Sequence, residues 1–360
     1  MKNTNSEKIT LLRPLLIFLV VTTHIQGSLY SSNLNTINLT FENFLHALLS
    51  STIAISALPL LSIISGYLAA RTYNRYTYFE TINKKFHRLL IPMLFWNLIL
   101  ALYIYHSQAH GLPRRPDLIL YPFNFKEWSM GLIGLFRLPA NQPLYFLKEL
   151  FICFLLLPVL NKISKTKTLT LIFLLLISYM SVNLINLSGL IHRVDIYGFF
   201  VIGLFIFNNK ISQPLKDQSK EKAFECVYIL LYLIISILIT LYFFNFTDPK
   251  NLYYKKILTL VGPLALWLIG NNIKGYLKFF LIWISPASFP VFLGHILILN
   301  IYWSEWSNHF KSTPLTENYW LFWISSFVLC FSCMGLIAFL YKKVLILIKS
   351  FLARQTKNRV

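Results

Sequence analysis

Arg13 and His24 stand in one apolar run, Leu11-Leu12-Arg13-Pro14-Leu15-Leu16-Ile17-Phe18-Leu19-Val20-Val21-Thr22-Thr23-His24. On a helix, eleven residues at about 100° each bring the two side chains within roughly 20° of one face, about 16 Å apart along the axis. A guanidinium is a permanent cation whose planar donors suit phosphates and carboxylates. An imidazole titrates near neutral pH and serves as a general base. In a membrane helix both are costly unless they face a cavity or a partner. The spacing therefore puts a basic anchor near one water interface and a proton-transfer group deeper in the bilayer. The plain alternative is a snorkelling arginine and a helix-packing histidine.

Four further groups carry chemistry. His295 lies in Phe292-Leu293-Gly294-His295, and Lys148-Glu149 follow Pro143-Leu144-Tyr145-Phe146-Leu147. Arg71 and Arg75 follow Ser65-Gly66-Tyr67, and Lys85-Phe86-His87-Arg88 open another apolar run. The basic cluster Arg13, Arg71, Arg75, Lys85 and Arg88 suits phosphate binding through charge-assisted hydrogen bonds. Topology alone also accounts for most of that charge. His295 reads equally as a packing residue or a site-lining residue, and Lys148-Glu149 as a local ion pair or a functional carboxylate.

The elements that must hold these groups are membrane helices. The 360 residues are 56% hydrophobic and 13% charged, with a mean hydropathy of +0.60. That composition makes lipid the main solvent. About ten apolar runs reach membrane-spanning length, near 9–29, 45–70, 88–106, 143–160, 168–187, 194–208, 224–246, 254–271, 278–302 and 320–348. The expected fold is all-α and polytopic, with residues 1–350 as one transmembrane domain and 351–360 as a short basic tail. Most of the Lys and Arg residues fall between alternate runs, which places both termini in the cytoplasm. That pattern explains the net charge of +20 without nucleic acid. The first run lacks a small-residue cleavage site and reads as a retained helix rather than a signal peptide. Cys153, Cys226, Cys330 and Cys333 lie in or beside apolar runs and read as buried thiols.

The longest outer loop, about 107–142, contains Pro113, Pro116, Pro122 and Pro139. Residues 126–136 are expected to form a short interfacial helix with Trp128 at headgroup level. Such a loop would roof an outward-facing site. Tyr302, Trp303, Trp306, Tyr319, Trp320 and Trp323 flank the last outer loop as aromatic belts. No Walker A sequence, HExxH or other metal cluster, nucleophile elbow or dinucleotide fingerprint is present, so no resident metal or cofactor is expected. The combination suits transfer of an activated group from a phosphate-bearing donor inside to an acceptor outside.

Taken together, these residues resemble the membrane acyltransferase family 3, whose members O-acylate bacterial cell-surface carbohydrates. Arg13 and His24 match its Arg-x10-His signature, and Ser65-Gly66-Tyr67 its Ser-Gly-Phe/Tyr element. The segments 85–92, 143–150 and 292–295 are similar to its later motifs, with Tyr145 where tryptophan is usual. Pro14 replaces a common glycine, which would shift the helix start, and Arg71 and Arg75 are spaced one residue wider than the family's pair. The resemblance implies acetyl-CoA as co-substrate, with succinyl-CoA second, and no bound cofactor. It implies that Arg13 and the inner bases hold CoA phosphates. His24 would deprotonate a sugar hydroxyl or carry the acyl group briefly, and Glu149 or His295 would orient His24 or the acceptor. The implied partners are the lipid bilayer and a surface glycan or its lipid-linked precursor, in the inner membrane of a Gram-negative cell. Some relatives carry an outer esterase-like domain; this chain is expected to act without one. A polysaccharide exporter and a structural membrane protein are the rival readings.

Overall fold

The computed structural model describes residues 4–25, 38–112, 115–182, 191–211, 218–245, 251–310 and 319–357. Each of the ten apolar runs is mainly helical where it is described, and no extended strand occurs among the described residues. In chain order the helices are α1 (Thr4–Thr22), α2 (Phe41–Ala47), α3 (Ala57–Thr72), α4 (Tyr78–Lys85), α5 (Ile91–Ala109), α6 (Phe125–Ile133), α7 (Tyr145–Leu155) and α8 (Leu157–Ser164). They continue with α9 (Lys167–Val182), α10 (Asp195–Asn208), α11 (Gln218–Asn245), α12 (Asn251–Asn272), α13 (Gly275–Ile284), α14 (Ser288–Phe310) and α15 (Tyr319–Lys357).

Among the described residues, five helical stretches are long and apolar enough to cross a bilayer: Phe41–Thr72, Tyr78–Ala109, Lys222–Asn245, Gly275–Phe310 and Tyr319–Leu340. The run at 143–160 is not one straight span. It breaks between α7 and α8 with a 73° bend. Pro158 explains the break, because it has no N–H for the Phe154 carbonyl and its ring crowds the preceding turn. Helix α1 is kept out of the five by Glu7, Lys8 and Arg13 within its 19 residues. Pro14 does not set the start of α1, as its place after Arg13 suggested; it lies inside a helix that begins at Thr4.

The chain separates into two compact units. One comprises Met1–Ala54, Thr240–Thr247 and Gly270–Val360; the other comprises Ile55–Ile239 and Asp248–Ile269. Within the first, α1 packs on α13, α14 and a π-helical stretch, Leu48–Ile53. Phe18 meets Phe327 at 4.3 Å between ring centroids, and Lys278 pairs with Glu7 at 2.6 Å. The π-helical register follows from hydroxyls that compete for helix carbonyls: Ser50 Oγ donates to His46 O and Thr52 Oγ1 to Leu48 O.

The second unit is built around α10, which packs on α3, α7, α8 and α9. Its 14 residues are mostly buried although the helix is too short to span a bilayer. Gly66 of α3 and Gly203 of α10 let the two backbones touch. A Cβ on Gly66 would lie 2.0 Å from Phe200 O, and one on Gly203 would lie 2.0 Å from Ile63 O. The Ser-Gly-Tyr element is therefore, in this fold, a helix-crossing device of the small-residue type used in membranes.

The long loop between α5 and α7 folds compactly within this unit. Asn124 caps α6 by accepting from Lys126 N and Glu127 N, and Gly134 ends it at φ 72°. Two amides of α5 hold the loop down. Gln108 bonds Leu118 O, Leu120 N and Tyr121 N, while Asn97 bonds Leu132 O and Asn141 N. The short helix expected at 126–136 is present as α6. Within it, Trp128 Nε1 donates to Leu120 O and its ring packs on Tyr105 and Phe123.

Arg115 grips Asp117 at 2.7 Å and holds its carboxyl below the usual carboxylate range through that hydrogen bond and charge. A carboxyl depressed in the folded state adds stability above its unfolded value and loses it as pH falls through the folded one. The pair is partly exposed, so the gain is small. Backbone amide exchange at 117–121 is expected to quicken only below about pH 4, measured by mass spectrometry in detergent.

Candidate active site

Helix α1 stops where two threonines turn their hydroxyls back onto it. Thr22 Oγ1 donates to Leu19 O at 2.6 Å and Thr23 Oγ1 to Val20 O at 2.7 Å. His24 follows in the closing turn, with its N–H on Val21 O at 2.9 Å. The imidazole thus leaves the helical spiral shared with Arg13, and the 20° face relation holds only up to Thr22. Arg13 lies within α1 and is exposed, whereas His24 is half-buried.

The turn delivers His24 to α14. Its ring centroid lies 5.4 Å from that of His295, with the planes at 50°. His295 is 0% exposed. Its Nδ1 sits 3.1 Å from Val291 O and 3.0 Å from Phe292 O, while Nε2 has no hydrogen-bond partner. Carbonyls only accept, so Nδ1 carries the proton and Nε2 is the bare acceptor. An unsatisfied imidazole nitrogen buried beside a second imidazole is costly for a structural role and useful for proton transfer. Ser288 lies seven residues earlier on the same face of α14, is 3% exposed and has an unpartnered Oγ.

The remaining bases are in the second unit, gathered on one hairpin. Arg71 ends α3, Arg75 closes the 3₁₀ turn Tyr73–Arg75, Lys85 ends α4, and Arg88 lies in the π-helical stretch Phe86–Leu90. Thr77 and Glu80 form a capping box that starts α4 and fixes the hairpin. Lys85 rests its ammonium 4.0 Å from the Phe154 ring centroid. Arg75 and Arg88 are exposed and make no ion pair among the described residues. The hairpin therefore presents concentrated positive charge.

Glu149 is also in the second unit and is fully buried. It accepts from Tyr197 Oη at 2.6 Å and His192 N at 2.8 Å, with Lys148 Nζ at 3.8 Å. Lys148 Nζ and His192 Nε2 both bond Gly134 O, at 2.7 and 2.9 Å. The carboxylate is thus a hub that ties α7 to α10 and to the end of α6. Glu149→Ala is expected to cost about 3 kcal/mol or more, because it leaves buried donors without their anion. Tyr197→Phe should cost about 1.5–3 kcal/mol. Thermal melting of the two purified variants in detergent checks the order.

Ser288, His192 and Tyr197 were not singled out from sequence. Their partners are far away along the chain, and nothing in local hydropathy marks them. A faint signal existed for Ser288, a hydroxyl seven residues before a membrane histidine.

The acyltransferase domain family known as acyltransferase family 3 matches residues 6–339. The succinoglycan biosynthesis protein ExoH of Rhizobium meliloti (strain 1021) is 27% identical over 323 residues, covering 84% of this chain and 80% of that protein. No solved structure matches.

Proposed function

Since the chain belongs to acyltransferase family 3 and is a multi-pass membrane acyltransferase, we propose that it O-acylates a cell-surface polysaccharide or its lipid-linked precursor. The donor in this reading is cytoplasmic acetyl-CoA, with succinyl-CoA as the second choice. The enzyme works in the bacterial inner membrane, with about ten membrane segments in one transmembrane domain and both termini inside. The relative named for succinoglycan biosynthesis supports a polysaccharide acceptor.

The His24–His295 pair carries the mechanism. His295 donates through Nδ1 to two carbonyls of its own helix, which fixes its ring and its tautomer. His24 takes the proton from the acceptor hydroxyl as the oxygen attacks the thioester carbonyl. A C–O bond forms, the C–S bond breaks, and the proton passes from His24 to the departing CoA thiolate. The neighbouring imidazole at 5.4 Å orients His24 and shares the passing charge. His295 suits that part better than Glu149, whose bonds go to Tyr197 and His192. The family resemblance assigns Arg13, Arg71, Arg75, Lys85 and Arg88 to the CoA phosphates, and their charge suits that part.

The test is ester-linked acyl groups released by mild alkali from surface glycan of cells with and without the protein. Inverted membrane vesicles supplied with labelled acetyl-CoA or succinyl-CoA then identify the donor. Ester that disappears on deletion is the expected result. Ester per unit of glycan unchanged by deletion, with only the amount of surface glycan falling, would replace this reading by an exporter.

A further inference from the structure

His46 belongs to none of the motifs above, yet it has the features of a functional residue. It lies in α2, one residue pair before the π-helical stretch Leu48–Ile53, and is only 6% exposed. Its ring faces Tyr319 at 5.8 Å and Trp323 at 5.5 Å between centroids. Its Nε2 is buried and has no hydrogen-bond partner. The Nε1 atoms of Trp306 and Trp323 are in the same condition.

These three nitrogens belong to one aromatic cluster. Phe322 lies 5.8 Å from Tyr319 and 5.7 Å from Trp306, and Tyr302 stacks on it at 5.1 Å. The cluster comes to the surface at Phe310, which packs on Trp306 at 4.3 Å. Indole nitrogens can only donate, and imidazole Nε2 either donates or accepts. Apolar ring faces interleaved with a few orphaned polar atoms are how proteins build ligand sites. A ligand that satisfies such nitrogens within an aromatic cluster needs apolar C–H faces to lie on the rings and hydroxyls that both donate and accept. A pyranose has both. A hydrocarbon chain has no atom to offer the nitrogens.

We propose that His46, Trp306 and Trp323 form a binding subsite for a pyranose of the acceptor glycan, with His46 Nε2 hydrogen-bonded to one of its hydroxyls. The identity of that glycan as acceptor rests on the acyltransferase reading above; the sugar site itself does not. His46 positions the sugar and takes no part in breaking the thioester.

The experiment is calorimetric titration of the full-length protein in detergent with surface glycan stripped of esters by mild alkali and cut to oligosaccharides. The starting protein carries His24→Ala, so no turnover intrudes. His46→Phe and Trp323→Phe are each expected to weaken binding at least tenfold without lowering the melting temperature. Trp323→Phe keeps the ring stack and removes only the N–H, so it decides the matter even where His46→Phe folds poorly. Half-saturation unchanged in Trp323→Phe, or no heat from the starting protein, overturns the subsite and leaves His46 a packed core residue. Binding with no ester made by native cells would sink the acyltransferase reading and leave the subsite standing. Ester made with binding unaffected by both variants would do the reverse.

Discussion

A His24→Ala protein is expected to reach the membrane at the native level and to leave surface glycan without its ester. General base catalysis contributes about 10²–10⁴-fold in rate, so the remaining ester should fall below detection. The substitution removes a half-buried ring from the turn that follows α1. The helix end itself is held by the hydroxyls of Thr22 and Thr23. His295→Ala should lower transfer less, by about 10²-fold at most, since His295 acts through His24. The loss should appear in kcat while KM for acyl-CoA stays level, a split that a general packing defect would not produce. Native ester in cells carrying His24→Ala at matched membrane levels would discard the mechanism.

The second large effect is structural. Gly203→Ala is expected to destabilise the second unit by about 3 kcal/mol or more, above the usual range for overpacking, because the added Cβ meets backbone and not a movable side chain. It would sit 2.0 Å from Ile63 O and 2.7 Å from Tyr67 N. Gly66→Ala should behave alike against Phe200 O. Gly262→Ala meets Ser56 Oγ at 1.8 Å. That hydroxyl can rotate away, at the loss of its bonds to Tyr232 Oη and Leu258 O, so the cost should be smaller. Gly335→Ala finds only Ala287 Cβ at 3.7 Å and should be neutral or slightly stabilising. Melting temperatures of the four variants in one detergent give the ranking. Equal stability for Gly203→Ala and Gly335→Ala would refute the close crossing of α3 and α10.

The series bears on function because Gly66 sits inside the Ser-Gly-Tyr element. Read as sequence, that element invites a role in binding. In the fold, its glycine brings α3 against α10, and α10 carries the Tyr197 that holds Glu149. A Gly66 variant that loses activity is therefore expected to lose stability in step. Activity lost at full stability would point to contact with a substrate.

The sequence by itself determined that this is a helical membrane protein, where its apolar helices run, and that Arg13, His24 and the 71–88 bases are its unusual charges. Each of these depends on local composition: hydropathy over about 20 residues, and the cost of a polar group within an apolar run. Even the break at Pro158 was within reach of such reasoning. The tertiary structure alone decided which groups meet. His24 and His295 are 271 residues apart, and only the packing of α1 on α14 makes them neighbours. That Glu149 accepts from Tyr197 and His192 is set by segments distant along the chain. The orphaned nitrogens of His46, Trp306 and Trp323 are likewise invisible along the chain. Whether a polar atom is satisfied depends on which distant helix faces it, and hydropathy and spacing carry no record of that.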